Sequence, residues 1–150
     1  MKIFIGADHR GFQFKSKILG LLNAQGYKLV DVGTDSGQEM CDYPKIAYKV
    51  SSQVAKARGS FGILVCMSGI GQAMAANKVK GAYAALCYNP DAAMLARQHN
   101  NANVLVLGAK FTAAEDLAKI LDNFLTSKFE GGRHLRRVNQ IKKIEKGLKI

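Results

Sequence analysis

The stretch GILVCMSGIGQAMAANK, residues 62–78, determines how the rest of this sequence is interpreted. It begins with a short apolar run ending at Cys66, passes through the closely spaced Gly69 and Gly71, and then takes on a helix-like composition. A short apolar run followed by a glycine turn is typical of a buried strand that leads into a helix. Glycines also let backbone N–H groups approach an anion closely. The stretch therefore predicts either an ordinary tight turn or a ligand pocket.

A dinucleotide-binding fingerprint is a poor match to this stretch. Gly69, Gly71 and Met74 give the pattern GxGxxM, in which the third glycine is missing. Asp91 follows Gly71 by about 20 residues, as a ribose-binding acid would. However, Asp91 also follows Pro90 at a predicted helix start, where an acidic residue has a local structural reason. We therefore expect no dinucleotide cofactor.

Short apolar segments alternate with helix-like segments along the whole chain. The predicted strands are residues 2–6, 28–32, 62–66, 83–87 and 104–107, and the predicted helices are residues 14–24, 45–57, 91–98, 113–125 and 133–146. The strand segments are apolar on both faces, which is typical of a parallel sheet covered by helices on both sides. Thr112 and Glu115 have the spacing of a capping box at the start of the fourth helix. The pattern predicts a three-layer α/β sandwich.

Composition limits the class of protein. The 150 residues are 48% hydrophobic, which predicts a single domain over residues 1–150 with a real core. We expect no signal peptide and no segment that spans a membrane. Cys41, Cys66 and Cys87 are an odd number without CxxC spacing, which argues against a disulfide scaffold or a zinc site. A reducing cytoplasm is the expected location.

The net charge of +11 suggests nucleic-acid binding as an alternative. More than half of this charge falls in residues 128–150, and no RRM, KH or zinc-finger pattern accompanies it. A basic terminal helix can bind a phosphate of any kind, including that of a sugar phosphate. Nucleic-acid binding therefore remains a minor alternative.

Polar side chains concentrate where the predicted strands end. Asp8 and His9 follow the first strand, Tyr43 follows the second, and Lys110 follows the fifth. In open parallel sheets, ligands bind beyond the carboxyl ends of the strands. This arrangement favours an enzyme or a small-ligand site.

Several titratable residues have two interpretations from sequence alone. Cys66 near a helix start could have a lowered pKa, but burial as a small hydrophobic residue is favoured by its position. His99 could belong to a site or could cap the end of its helix. Arg133 and Arg137 lie one helical turn apart and could grip one phosphate, or could form a solvated basic face.

Five motifs taken together resolve these alternatives. They are GADHRGF (6–12), DYP (42–44), GILVCMSGIGQAMAANK (62–78), ARQHNNANVLVLG (96–108) and FEGGRHLRRV (129–138). In this order the chain resembles the ribose-5-phosphate isomerase B family, within a wider group that includes allose- and galactose-6-phosphate isomerases. The resemblance implies a Rossmann-like α/β/α sandwich with a five-stranded parallel sheet. It also implies a homodimer, in some members a dimer of dimers, with active sites and the C-terminal helix (about 133–146) at the interface.

The resemblance implies a reaction and a role for each site residue. Ribose 5-phosphate and ribulose 5-phosphate would interconvert through a cis-enediolate, without metal or cofactor, in the pentose phosphate pathway. Cys66 is the expected base, His99 the ring-opening acid with Asp8 nearby, and Ser68 a hydroxyl donor. The expected substrate- and phosphate-binding positions are His9, Tyr43, Met67, Gly69, Ile70, Gly71, Asn100, Lys110, Arg133 and Arg137.

Two residues depart from the family pattern. Met67 replaces a common glycine, so its side chain could reshape the pocket or require another backbone angle. Lys110 replaces an arginine near the phosphate, which keeps the charge and loses bidentate geometry. Substrate choice therefore stays open, with a hexose-6-phosphate isomerase as the nearest alternative and a non-catalytic nucleotide or nucleic-acid binding protein as a more remote one.

Overall fold

The computed structural model describes all 150 residues and contains five strands and six helices. In chain order these are β1 (Lys2–Ala7), α1 (Phe12–Ala24), β2 (Lys28–Asp31), α2 (Tyr43–Lys56), β3 (Phe61–Cys66), α3 (Ile70–Ala76), β4 (Ala84–Leu86), α4 (Pro90–Asn100), β5 (Val104–Gly108), α5 (Leu117–Thr126) and α6 (Gly132–Glu145). The strands form one sheet in the order β2-β1-β3-β5-β4, and every pairing is parallel. The predicted five-stranded parallel sheet is confirmed.

Alternating strand residues build two separate cores. Ile63 and Val65 of β3 face a cluster that includes residues of α1, α4 and α5, whereas Leu64 faces a cluster with residues of α2 and α3. Because both faces of the sheet are covered, the strands are apolar throughout. The predicted three-layer α/β/α sandwich is therefore confirmed.

The helix after β5 begins later than the sequence predicts. The carbonyl of Gly108 accepts hydrogen bonds from the backbone N–H groups of Phe111 and Thr112, which closes a turn before the helix can start. Helix α5 begins at Leu117, and the Thr112 hydroxyl is buried without a hydrogen-bond partner. The predicted capping box at Thr112 and Glu115 is wrong for this reason.

The direction of α4 separates two groups of functional candidates. Its first turn is capped by Asn89, whose Oδ1 accepts the N–H of Ala92 at 2.8 Å, just beyond the carboxyl end of β4. The helix then runs back about 16 Å, because each residue rises about 1.5 Å. Its last residue, Asn100, lies near the amino end of β3, where Gly62 donates to the Asn103 carbonyl. Helix α4 thus runs from the carboxyl edge of the sheet, where the strands end, to its amino edge, where the strands begin.

Candidate functional site

Cys66 lies at the carboxyl end of β3, where the chain turns sharply. Its side chain is 6% exposed, and its Sγ accepts the backbone N–H of Gly69 at 3.0 Å. Gly69 has φ +83°, a left-handed conformation that glycine adopts without strain. This conformation turns the chain into α3 and aims the N–H at the sulfur.

Burial raises the pKa of the Cys66 thiol, and the nearby Asp8 carboxylate raises it further. Backbone N–H groups, chiefly that of Gly69, act in the opposite direction but are outweighed. Within one chain the direction of the shift agrees with the alternative that the sequence position favoured, a buried cysteine, and the role of Cys66 as a base stays a prediction. A thiolate at this position requires positive charge that the surrounding residues of the same chain do not supply.

A pocket of about 650 Å³ opens beside Asp8 and is lined by Asp8, His9, Arg10, Met40, Cys41, Asp42, Tyr43, Pro44 and Lys45. Asp8 is buried, and its Oδ1 accepts the N–H of Gly11 at 2.9 Å. The Nδ1 of His9 accepts the N–H of Cys41 at 3.4 Å. In a neutral imidazole this places the proton on Nε2, which is then available to donate to a ligand.

Tyr43 connects this pocket to the glycine turn. Its side chain is 42% exposed, and its ring lies against Gly71, where a Cβ atom would come within 2.5 Å of a ring carbon. Gly71 is therefore required for the close approach of the ring. Ser68 lies in the same turn, and its hydroxyl accepts the N–H of Ile70 at 3.3 Å.

Met67 and Arg10 form a contact that the sequence did not suggest. The Sδ of Met67 lies 2.8 Å from Nη1 of Arg10, and the Met67 side chain is 39% exposed. Met67 does not need a glycine-like backbone, since Asn101 is the one non-glycine residue with positive φ. Its carbonyl accepts the N–H of Lys110, whose ammonium lies over the Phe111 ring. Met67 therefore places its side chain on Arg10 and keeps an ordinary backbone conformation.

A second group of candidates lies at the amino edge of the sheet. Here the His99 and His134 rings are stacked, with centroids 4.1 Å apart. The Oε2 of Glu130 lies 3.8 Å from Nε2 of His99 and 3.5 Å from Nε2 of His134. Arg133 and Arg137 are exposed one turn apart on α6, as predicted. Glu130 and His134 were missed as site residues, although both stand in the quoted motif FEGGRHLRRV.

The two groups do not meet within one chain. Cys66 and Asp8 lie at the carboxyl edge, whereas His99 and Asn100 lie at the end of α4 at the amino edge. Within one chain Asp8 and His99 therefore lie apart, and the expectation that they share a site stays a prediction that involves a second chain. The reason is topological, since a helix between parallel strands must return to the amino edge before the next strand begins.

His99, Glu130 and His134 also have the composition of a metal site, with ligand atoms within 4.8 Å of one another. Their surroundings fit a metal poorly. Stacked parallel rings cannot both aim an in-plane lone pair at one ion, and Nε of Arg133 already lies 3.4 Å from Nε2 of His134. Two guanidinium groups nearby favour an anion over a cation. The absence of a metal cofactor stays a prediction.

Burial lowers the pKa of His134, and the neighbouring His99, Arg133 and Arg137 lower it further. The Glu130 carboxylate raises the pKa of His134, but by less than the other groups lower it. His134 is therefore neutral at neutral pH, and Arg133 and Arg137 carry positive charge beside it.

Comparison with known proteins identifies the family. The sequence model of the Ribose/Galactose Isomerase family matches residues 3–141. The chain belongs to the ribose/galactose isomerase family. The predicted family is confirmed, and with it the enzyme class, an isomerase.

Curated and solved members of the ribose/galactose isomerase family cover nearly the whole chain. A probable ribose-5-phosphate isomerase B of Mycoplasma genitalium is 45% identical, covering 96% of this chain and 95% of the relative. The structure of ribose-5-phosphate isomerase B from Clostridium thermocellum has a TM-score of 0.94 and 41% identity, covering 98% of this chain and 99% of that chain. The enzyme from M. genitalium with bound ribulose-5-phosphate has a TM-score of 0.92 and 44% identity, covering 97% of this chain and 96% of that chain.

Among the helices of this family member, none combines the length and the apolar composition needed to cross a bilayer.

Proposed function

We propose that this chain interconverts ribose 5-phosphate and ribulose 5-phosphate, as an enzyme of the pentose phosphate pathway. One observation carries the proposal: the similar M. genitalium enzyme holds ribulose-5-phosphate, and its fold matches this chain with a TM-score of 0.92. The pocket beside Asp8 and the buried Cys66 at the end of β3 support the proposal, since they offer a cavity for a sugar and a candidate base. A cytoplasmic location belongs to the same proposal, which the three free thiols support.

Cys66 is the proposed base. Its thiolate would take the proton from C2 of the open-chain aldose, and the C1 carbonyl would become an enediolate oxygen. The thiol would return that proton to C1 while the proton of the C2 hydroxyl passes to the C1 oxygen, which leaves the carbonyl at C2. Backbone N–H groups between Met67 and Gly71 would donate to the developing negative charge, and Ser68 adds one movable hydroxyl. His9 Nε2, Tyr43 and Arg10 line the region where the sugar would bind. The redox change is internal to the sugar, so the step balances without a cofactor.

A homodimer would complete the site. The partner's His99 would open the sugar ring, and the partner's Arg133 and the partner's Arg137 would hold the phosphate together with the partner's Asn100. Two observations support this arrangement. The required groups lie at opposite edges of one chain, and exposed apolar side chains surround the carboxyl-edge group, namely Met40, Tyr43, Met67, Ile70 and Met74.

The second copy also accounts for the state of the thiol. By itself, the chain gives Cys66 a raised pKa. Guanidinium groups placed opposite Cys66 would favour the charged form of the thiol and lower that pKa. Assembly would therefore supply both the ring-opening acid and the positive charge that the base requires.

Steady-state assays test the substrate. We expect turnover of ribose 5-phosphate at a higher kcat/KM than allose 6-phosphate or galactose 6-phosphate. Preference for a hexose 6-phosphate would identify the chain as an allose- or galactose-6-phosphate isomerase. A lack of turnover with all three sugars, together with salt-sensitive nucleic-acid binding, would contradict the proposal.

Mixing two inactive variants tests the shared site. We expect Cys66→Ala and His99→Gln each to abolish most activity. After the two chains are mixed and reassembled, each heterodimer would keep one intact site, and about a quarter of the wild-type activity would return. A matched control mixes Cys66→Ala with the double variant Cys66→Ala/His99→Gln, which cannot build an intact site. Equal activity in the mixture and the control would exclude a site shared between chains.

The phosphate contacts are tested on the same helix. Arg133→Gln and Arg137→Gln are expected to raise KM for ribose 5-phosphate by about tenfold or more each, because each removes a charge-assisted hydrogen bond. Arg136→Gln is the matched control, since Arg136 is equally exposed on α6 but has no assigned contact. An equal rise in KM for all three variants would indicate a general effect of charge.

A further inference from the structure

Arg97 is a half-buried cation without a counter-ion. Its guanidinium lies 4.7 Å from the centre of the Phe61 ring and 5.9 Å from that of Phe124. Nη1 donates to Oδ1 of Asn101 at 3.0 Å and to the Ala102 carbonyl. Nε is buried with no hydrogen-bond partner, and no carboxylate forms an ion pair with the group.

A pocket of about 470 Å³ adjoins this guanidinium at the amino edge of the sheet. Two more cations, Arg58 and Lys142, line it, and none of its lining residues carries a carboxylate. The Glu145 carboxylate contacts two of the lining residues, since it accepts the Gly81 N–H at 2.7 Å and lies 3.3 Å from the Tyr83 hydroxyl, but it forms no ion pair with any of the three cations. Three cations therefore line one cavity, and none of them is paired with a carboxylate.

This arrangement is costly for a protein that binds nothing there. A partly desolvated charge without a counter-ion is destabilising, and burial lowers the pKa of Arg97 accordingly. An anion in the pocket would offset the cost. A phosphate group suits it best, because it accepts forked hydrogen bonds from guanidinium groups and a point contact from an ammonium group.

We infer that the pocket formed by Arg58, Arg97 and Lys142 binds the phosphate group of a small anion, at a site separate from the isomerase site. Neither Arg133 nor Arg137 lines this pocket. Asn101, which holds the Arg97 guanidinium, is the one non-glycine residue with positive φ. It directly follows His99 and Asn100 along the chain, so a bound anion restrains the end of α4 that carries them.

Backbone amide shifts test this site in the whole chain. The Arg133→Gln/Arg137→Gln variant removes the proposed substrate clamp and is titrated with inorganic phosphate or glycerol 3-phosphate at constant ionic strength. We expect saturable shifts at Ser60, Tyr83 and Asn101. Equal affinity for the two probes would indicate a site for phosphate itself, and tighter binding of glycerol 3-phosphate would indicate a phosphorylated metabolite.

Variants of the exposed cations decide the outcome without disturbing Arg97. Adding Arg58→Gln and Lys142→Gln should weaken binding by about tenfold or more, because two charge-assisted contacts are lost. Lys149→Gln, an equal change of charge at the exposed C-terminus, should leave binding unchanged. Non-saturable shifts, shifts reproduced by chloride, or equal binding in all variants would overturn the inference.

Discussion

The imidazole rings of His99 and His134 are stacked, with centroids 4.1 Å apart and planes 8° apart, although the residues belong to different helices. Two imidazoles this close disfavour being charged together, and Arg133 adds a further cation beside His134. The pair therefore joins the end of α4 to α6 and lowers the pKa of His134.

The first prediction concerns stability in acid. Because the pKa of His134 is lowered from 6.5 in the folded chain, the unfolded state binds more protons as the pH falls below about 6.5. The stabilisation is fully present above that pH and is lost as the pH falls through the folded pKa. Urea unfolding at about pH 7.5 and about pH 5 should show a larger loss in the wild type than in His134→Gln.

A change at Glu130 tests the electrostatic cause of the lowered His134 pKa, because Glu130 raises this pKa. Its carboxylate favours the charged imidazole, so Glu130→Gln should lower the pKa of His134 further in an NMR titration. Glu115→Gln, in an exposed turn before α5, should leave it unchanged. A higher pKa of His134 in Glu130→Gln would contradict the electrostatic account.

The second prediction concerns the thiols. Burial raises the pKa of Cys87 to about 12, so this residue should react with iodoacetamide very slowly at neutral pH. If the partner's Arg133 and the partner's Arg137 face Cys66, its alkylation should be slower in the Arg133→Gln/Arg137→Gln variant than in the wild type. Cys87 serves as the internal control, read by peptide mass spectrometry. Equal rates for Cys66 in both proteins would argue against arginines beside the thiol.

The third prediction separates backbone strain from steric conflict. Gly69 and Gly26 have similar positive φ angles, +83° and +77°, but a Cβ on Gly69 would collide with Leu86 whereas one on Gly26 meets open space. Gly26→Ala should lower the free energy of unfolding by about 1 kcal/mol through strain alone. Gly69→Ala should lower it by about 1–3 kcal/mol more, through the added collision. Urea unfolding measures both, and equal losses would mean that the turn relaxes around the new methyl group.

The fourth prediction concerns a buried amide. Gln72 is fully buried in α3, and neither its Oε1 nor its Nε2 has a hydrogen-bond partner. Gln72→Met keeps the length of the side chain and removes both unpaired groups, so it should raise the free energy of unfolding by about 1–3 kcal/mol. Gln53→Met on the exposed side of α2 is the control and should change stability by less than about 0.5 kcal/mol. A loss of stability in Gln72→Met would show that the amide has a partner, such as a buried water.

The pattern of apolar segments predicted the three layers of this fold, because strands that are buried on both faces of a sheet are apolar throughout. The same pattern placed the start of α5 too early. Hydrogen bonds to the Gly108 carbonyl form a turn before this helix, and the sequence contains no pattern that predicts them. The apolar pattern also overextended the second and fourth strands, which end at Asp31 and Leu86. Both are edge strands, and they pair on one side only.

Sequence alone could predict which candidate residues lie at each end of the strands, but it could not predict every contact between them. Asp8 and His9 directly follow β1 and Cys66 ends β3, so the rule for parallel sheets places them at the same edge. The position of His99 was also accessible, because a helix that precedes a strand must end at the amino edge. The contact between His99 and His134 was not, since it depends on the path of α6, which packs few of its side chains and buries only His134 and Val138.

The hydrogen bond from the Gly69 N–H to the Cys66 sulfur has a consequence for sequence divergence. A donor that belongs to the main chain is not removed when a neighbouring side chain is exchanged. Positions 67 and 70, whose side chains are exposed, can therefore drift in size and polarity while the turn continues to present the same N–H groups. Substitution is restricted instead at Gly69 and Gly71, where an added methyl group would meet Leu86 and Tyr43. Met67 therefore changes the side chain of this turn without changing its backbone conformation, and its sulfur contacts Arg10.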